Sequence, residues 1–283
     1  MASRVTGALI RAALMIGVVS TPALLLSPSP VDTFRMSLLV AAFAGLMTFV
    51  EYNARAPSLT EFRDAPPFNR MRALMLFSTL FTLSMLAKNQ TEPTALSGFI
   101  QALGSVIGGS LDFPYSPVRL VILLLEDNAS EAEIGILREA AGLAFLIAFV
   151  FVMHFWFMLR LGSWPRRGIP FNVWVNLPTF DPTAGPDVVR RLERDALINL
   201  CLAILSPFLI PLIILLGYSH LDGSSLTAPH TLTWTMTAWS FLPASLLMRG
   251  LAMQRIAEMI TYARHIRSKG GDEQTLRESW RPF

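Results

Sequence analysis

Two places in the sequence carry residue types that can do chemistry. One is a run of charges, Glu51, Arg55, Glu61, Arg63 and Asp64, set among prolines between two apolar stretches. Carboxylates gathered at a membrane surface can hold a divalent ion for phosphoryl chemistry. Here arginines are interleaved with them and neutralise such a site, so interfacial salt bridging, with Glu51 pairing Arg55 one turn later, is the competing reading. The other is His154, the one strongly polar side chain well inside a long apolar run, among Phe151, Phe155, Trp156 and Phe157. Ionisable groups inside a membrane segment are functional candidates. His154 lies about two turns from Arg160, near an interface, where a neutral packing histidine is the blander role. Asn199, in a later apolar run, is a further candidate for contact with a solute or a neighbouring helix.

Cofactor chemistry finds little support. A haem or metal at His154 needs a second ligand at matching depth, and His220, His230 and His265 all fall in or near loops or on a surface helix. Cys201 is the only cysteine, which excludes an intramolecular disulfide, a thiolate cluster and a Cys-x-x-Cys pair. Zincin, P-loop, dinucleotide-binding and nucleophile-elbow motifs are absent in any usable context. No cofactor and no metal is therefore expected. Asn89-Gln90-Thr91 and Asn128-Ala129-Ser130 match glycosylation sequons, a motif short enough to arise by chance.

The elements that must position these residues follow from composition. Of 283 residues, 53% are hydrophobic and 15% charged, against about a quarter charged in an ordinary soluble domain. The expected fold is all-α, a polytopic membrane bundle of about six spans near 5–26, 34–52, 73–87, 141–161, 196–218 and 232–248, followed by a cytoplasmic helix and tail, 249–283. The third is the weakest by length. Its 73–87 core makes about 22 Å of helix against a ~30 Å hydrocarbon layer, so Arg72 and Lys88 must reach outward. The first resembles a signal peptide in length, but Ser27-Pro28-Ser29-Pro30 puts proline just beyond the small residues a peptidase needs, and an uncleaved helix with Arg11 snorkelling is expected.

Charge then orients the bundle. With both termini in the cytoplasm, the inside segments hold all but four of the 23 lysines and arginines, the exceptions being Arg35, Lys88, Arg119 and Arg138. This basicity is read as membrane orientation and not as nucleic-acid binding. Arginine in such excess over lysine points to a GC-rich bacterial genome and an inner membrane.

Between Asn89 and Ala140 two shorter apolar stretches, 98–111 and 118–125, are too short to cross alone. Phe99, Ile100, Leu103, Val106 and Ile107 share a helical face, which suggests an amphipathic helix on the outer leaflet. A re-entrant hairpin would bury Asp112 and is disfavoured unless a partner receives the charge. Ser130 and Glu133 have capping-box spacing, so a helix should begin near Glu131 and run into the fourth span. After the sixth span, 251–268 reads as a basic amphipathic helix on the inner leaflet, stopped by Gly270 and Gly271.

Small residues at Ala41 and Gly45, and at Ala140, Ala144 and Ala148, imply close helix contacts. Thr233, Thr237 and Ser240 share a face that could bond Asn199 or Ser206, and Pro207 and Pro211 should kink the fifth span. Loops 53–72 and 162–195, the latter with Trp164, Phe171, Trp174, Leu177 and Phe180, are dense enough to meet a membrane-protein partner or to pack on their own bundle. Three function classes remain: an accessory, assembly or regulatory component of a membrane complex; a small-solute transporter using His154 and Asn199; and a lipid-acting enzyme using the Glu51 to Arg72 cluster.

Overall fold

The computed structural model describes residues 2–26, 31–125, 128–161, 164, 176–178, 180, 187–217 and 223–279. The regular elements are helices: α1 (Ala2–Leu25), α2 (Val31–Asn53), α3 (Phe68–Lys88), α4 (Ala95–Leu111), α5 (Pro117–Ile122), α6 (Glu131–Arg160), α7 (Val188–Gly217), α8 (Gly223–Leu226) and α9 (Pro229–Ser279). Five are long and apolar enough to cross a membrane, namely Arg4–Leu25 of α1, then α2, α3, α6 and α7. The third expected span gains a turn at its start, and its 21 residues now reach about 31 Å. The sixth expected span, 232–248, lies within α9 and is less apolar than these five, carrying Thr233, Thr235, Thr237 and Ser240.

Local signals explain where helices begin. Ser130 accepts from the Glu133 amide while the Glu133 carboxylate accepts from the Ser130 amide, so both bonds of the expected capping box form. Thr94 and Ser97 make the equivalent pair at α4. Ser116 caps α5, with Pro117 in the first turn where a missing N–H costs nothing.

The long helices pack side by side around two apolar cores. At one end Phe62, Phe68, Met75, Phe155, Leu192 and Met253 come together; at the other, Leu83, Leu86, Leu137, Val121 and Trp239 do. The first core gathers the loop before α3, the start of α3, the end of α6, the start of α7 and the middle of α9. It is also the end that carries Arg63, Arg72, Arg194 and Arg249. Among the four cations left for the opposite side, Arg35 meets Asp32, Lys88 meets Glu92, and Arg119 and Arg138 meet Asp112.

Several expectations change. The Asp112 side chain is buried, with its carboxylate 2.7 Å from Arg119 and 3.6 Å from Arg138, so burial there does have its charge partners. The helix before it, α4, packs against α6 and the end of α3. Asn89, at the end of α3, bonds Gln101 and Ser97, and the first half of α6 meets Gly104 and Gly108. Its packed face is Ser97, Ile100, Gly104 and Gly108, whereas Phe99, Leu103 and Val106 point away from the bundle.

The segment 251–268 is not a separate surface helix. It continues the preceding one without a break and spends Ala252, Met253, Ile256 and Ala257 on the chain's own core. Gly270 and Gly271 do not stop it, because α9 runs on to Ser279; mid-helix glycine costs about 1 kcal/mol but forbids nothing. Pro207 and Pro211 both sit within an unbroken α7. Pro211 has no N–H to give the Pro207 carbonyl one turn back, and the Trp239 indole donates to that oxygen at 3.1 Å instead.

Small residues set the closest approaches. Gly45 faces Ile16 and the Ala12 carbonyl at the α1–α2 contact, and a Cβ on Gly142 would stand 2.6 Å from the Gly108 Cα. The Gly104-x-x-x-Gly108 pair that makes this crossing is a helix-contact signal masked in the sequence by the amphipathic pattern around it. Gly109, one residue on, has open space where a Cβ would stand, with nothing within 4 Å. Gly142→Ala should therefore destabilise by about 1–3 kcal/mol through overpacking, while Gly109→Ala should stabilise by up to about 1 kcal/mol through helix propensity. Melting of the two variants in the same detergent tests this, and shifts of equal sign would refute the contact.

Candidate functional site

The loop from residue 54 to 67 is built around the loose ends of α2. Three amides in a row, those of Ser58, Leu59 and Thr60, turn toward the Glu51 carboxylate and donate to it at 3.1, 3.0 and 2.8 Å; the Ser58 hydroxyl adds a fourth bond. Glu51 is thus spent on backbone and not on Arg55, contrary to the expected pair. The chain leaving α2 also presents carbonyls without an intrahelical donor, and Arg63 donates to that of Glu51 in the last turn and to those of Ala54 and Arg55 just beyond it, at 3.1, 2.8 and 3.3 Å. Its Nε meets Asp64 at 3.2 Å.

The same loop is pinned from the far side. Phe62 has a φ of 53°, a left-handed conformation that is costly for a bulky residue. Its amide donates to the Asn176 carbonyl and its ring is fully buried against Phe68 and Trp164. The Asn176 side chain accepts from the Asp64 amide, and the Trp164 indole donates to the Ala65 carbonyl at 3.0 Å. The two expected partner loops therefore bind each other, at least through Trp164 and Asn176. Phe171, Trp174, Arg166 and Arg167 lie outside the described residues, as does His220.

Glu61 and Asn199 are brought together by a residue that the sequence did not single out as a site. Arg249 grips both oxygens of Glu61, at 2.6 and 2.8 Å, and its remaining arm donates to the Asn199 amide oxygen at 2.9 Å. This two-pronged geometry is the strong form of a charge-assisted bond. It ties the 54–67 loop to α7 and α9. Asn199 completes its own bonding by donating to the Asp195 carbonyl. Arg72 lies alongside, its Nε 3.4 Å from the Ser245 hydroxyl and its guanidinium over the Phe68 and Phe241 rings. Beyond the bundle Arg264 reaches Asp187 at 2.9 Å and holds that carboxyl below its usual pKa.

The remaining candidates stay apart from this network. His154 is exposed on the outer face of α6, so it neither packs in the core nor meets Asn199. Arg55 and Asp64 are exposed. The Thr233, Thr237 and Ser240 face is buried, but Thr233 and Ser240 bond back to their own helix and Asn199 has Arg249 instead. No group of three or more His, Cys, Asp or Glu placed to hold a metal occurs among the described residues. Arg249 had one signal in the sequence, its position as the first charge after a long uncharged stretch.

The chain matches no family model, no curated protein and no solved structure. Glu61→Gln strands a guanidinium that is about three-quarters buried, and should destabilise by about 2–4 kcal/mol, somewhat less than for a fully buried pair. Glu61→Met combined with Arg249→Met should recover much of that loss. Equal melting losses that simply add in the double variant would show that the two side chains are not coupled.

Proposed function

We propose that the chain is a non-enzymatic accessory, assembly or regulatory component of a larger membrane complex, embedded in a bacterial inner membrane with six spans and both termini cytoplasmic. The observation that carries this reading is that the acidic and amide groups offered for catalysis or transport are bound into the framework. Glu51 holds amides, Glu61 and Asn199 hold Arg249, and what these bonds build is a rigid face at one end of the bundle. That face joins the end of α2, loop 53–72, part of 162–195 and the emerging part of α9, and it is where a membrane-protein partner would dock. Some apolar side chains remain open there, with Leu161 82% and Tyr262 68% exposed.

The six-span orientation is supported by charge. Arg63 of the 54–67 loop, Arg72 of α3, Arg194 of α7 and Arg249 of α9 lie at one end, in keeping with the preference of arginine for the cytoplasmic side. The sixth span can be the least apolar because it is the most enclosed. Burial of Leu232, Met236, Trp239 and Met248 among α3, α6 and α7 shields it from lipid. Transport remains the alternative class and lipid chemistry the third. Both are weakened because Glu51, Glu61 and Asn199 are bonded into the framework and His154 faces outward.

Two measurements test the proposal. A cysteine placed at Ala56 in a Cys201→Ser background should stay unlabelled by an impermeant maleimide in intact cells and react once they are opened; labelling from outside would reverse the orientation. Purification in mild detergent should bring down a stoichiometric partner, lost on Arg55→Glu together with Leu161→Ser while the melting temperature holds. Recovery of the chain alone, with solute flux in proteoliposomes or an altered lipid profile in a deletion strain, would move the assignment to one of the other two classes.

A further inference from the structure

At the arginine-rich end, α1, α2, the following loop, α3 and α9 line a half-open cavity of about 360 Å³ that the bridge just described does not use. Its lining divides by depth. Toward the middle of the helices it is apolar, with Leu14, Val18, Leu76 and Phe241; toward their ends it carries Arg11, Arg70, Arg72, Tyr52 and Asn69. Among the described residues no carboxylate lines it. Glu51, next to Tyr52 in sequence, is engaged by backbone amides, and Glu61 by Arg249. Three guanidinium groups therefore face one space without an acidic side chain among its described walls.

Geometry holds these arginines toward that space. Arg11 folds back along α1, donating to the Gly7 carbonyl at 2.8 Å with its guanidinium 4.8 Å from the centre of the Tyr52 ring. Arg72 is half-buried and stacked between two phenylalanine rings, and among the described residues its hydrogen-bond partner is Ser245, reached through Nε. Arg70 is exposed at the rim. A planar guanidinium with N–H groups to spare is the side chain best suited to phosphate oxygens.

We propose that this cavity is a binding site for one anionic phospholipid of the adjoining leaflet, its phosphodiester held by Arg11, Arg70 and Arg72 and an acyl chain lying along Leu14, Val18 and Leu76. The vertical order of the lining matches that of a lipid, phosphate outermost and hydrocarbon within. An unbalanced cluster of arginines disfavours a headgroup that carries its own cation, so selectivity for a net negative lipid over a zwitterionic one follows. The site rests on the bilayer reading and is independent of which partner, if any, the neighbouring face engages.

The test uses the full chain in neutral detergent, with phosphatidylglycerol, phosphatidylcholine and inorganic phosphate as separate additions. Phosphatidylglycerol should raise the melting temperature and leave one bound lipid per chain in native mass spectrometry, while the other two additions do neither. Arg11→Gln with Arg70→Gln, both exposed positions, should keep the melting temperature of the lipid-free chain and weaken phosphatidylglycerol binding about 25-fold, taking roughly five-fold per arginine. Arg72→Lys should retain the fold and lose part of the affinity. Stabilisation by inorganic phosphate as large as that by the lipid would make this a free-anion site and overturn the lipid assignment. Equal response to both lipids, or unchanged binding by the double variant, would overturn the site.

Discussion

A peptide group that leaves water must find another partner, and at the arginine-rich end of this bundle that requirement decides where nearly every polar side chain goes. Helix α2 ends short of the next helix by a loop that has to turn back under it, leaving carbonyls at its end and amides in the turn. Glu51 serves the amides and Arg63 the carbonyls. Trp164 and Asn176 do the same for the far side of the loop, and Trp239 for the carbonyl that Pro211 strands within α7. An unsatisfied buried group costs about 1–3 kcal/mol, so three or four such bonds are comparable with much of a domain's net stability. The charge run that looked like chemistry is, in large part, the means by which the chain turns a corner.

That constraint also explains what was legible in the sequence and what was not. Apolar length and helix caps are local, and so the α-helical bundle, the start of α6 at Ser130 and the close contact at Gly45 could all be read from neighbouring residues. The bonds of Glu51 were not legible, since the i, i+4 spacing to Arg55 is equally local and only the path of the loop shows that three amides arrive first. The Glu61–Arg249 bridge joins residues from opposite ends of the chain, and although Arg249 stands out as the first charge after an uncharged stretch, nothing local pairs it with Glu61. His154 was singled out by its apolar neighbours, but those neighbours surround it on a helix of which only one side is buried; Val152, Phe155 and Leu159 take that side and His154 does not.

Between the two ends, contact is governed by shape. Lipid is as apolar as leucine, so helices gain little by hiding hydrocarbon from it and must gain by fitting closely. Gly45 against Ile16, Gly142 against Gly108 and Gly250 against Leu200 and the Ala196 carbonyl are the places where this fit is tightest. They join α1 to α2, α4 to α6 and α7 to α9. The apolar side chains of α2 and α7 stay largely exposed, as expected of helices whose surroundings are hydrocarbon.

Helix α9 shows how these constraints act together. Its threonines, serines and tryptophans would be poor lipid-facing residues, yet it lies against α7, α6 and α3 and needs little compatibility with lipid. The same helix carries Trp239 to the stranded carbonyl of α7, Arg249 to Glu61 and Asn199, and Met253 and Ile256 to the core under the loops. Its 51 residues extend about 76 Å, far more than one bilayer crossing requires. One continuous backbone therefore carries both the bond to the stranded carbonyl of α7 and the bridge that holds the 54–67 loop.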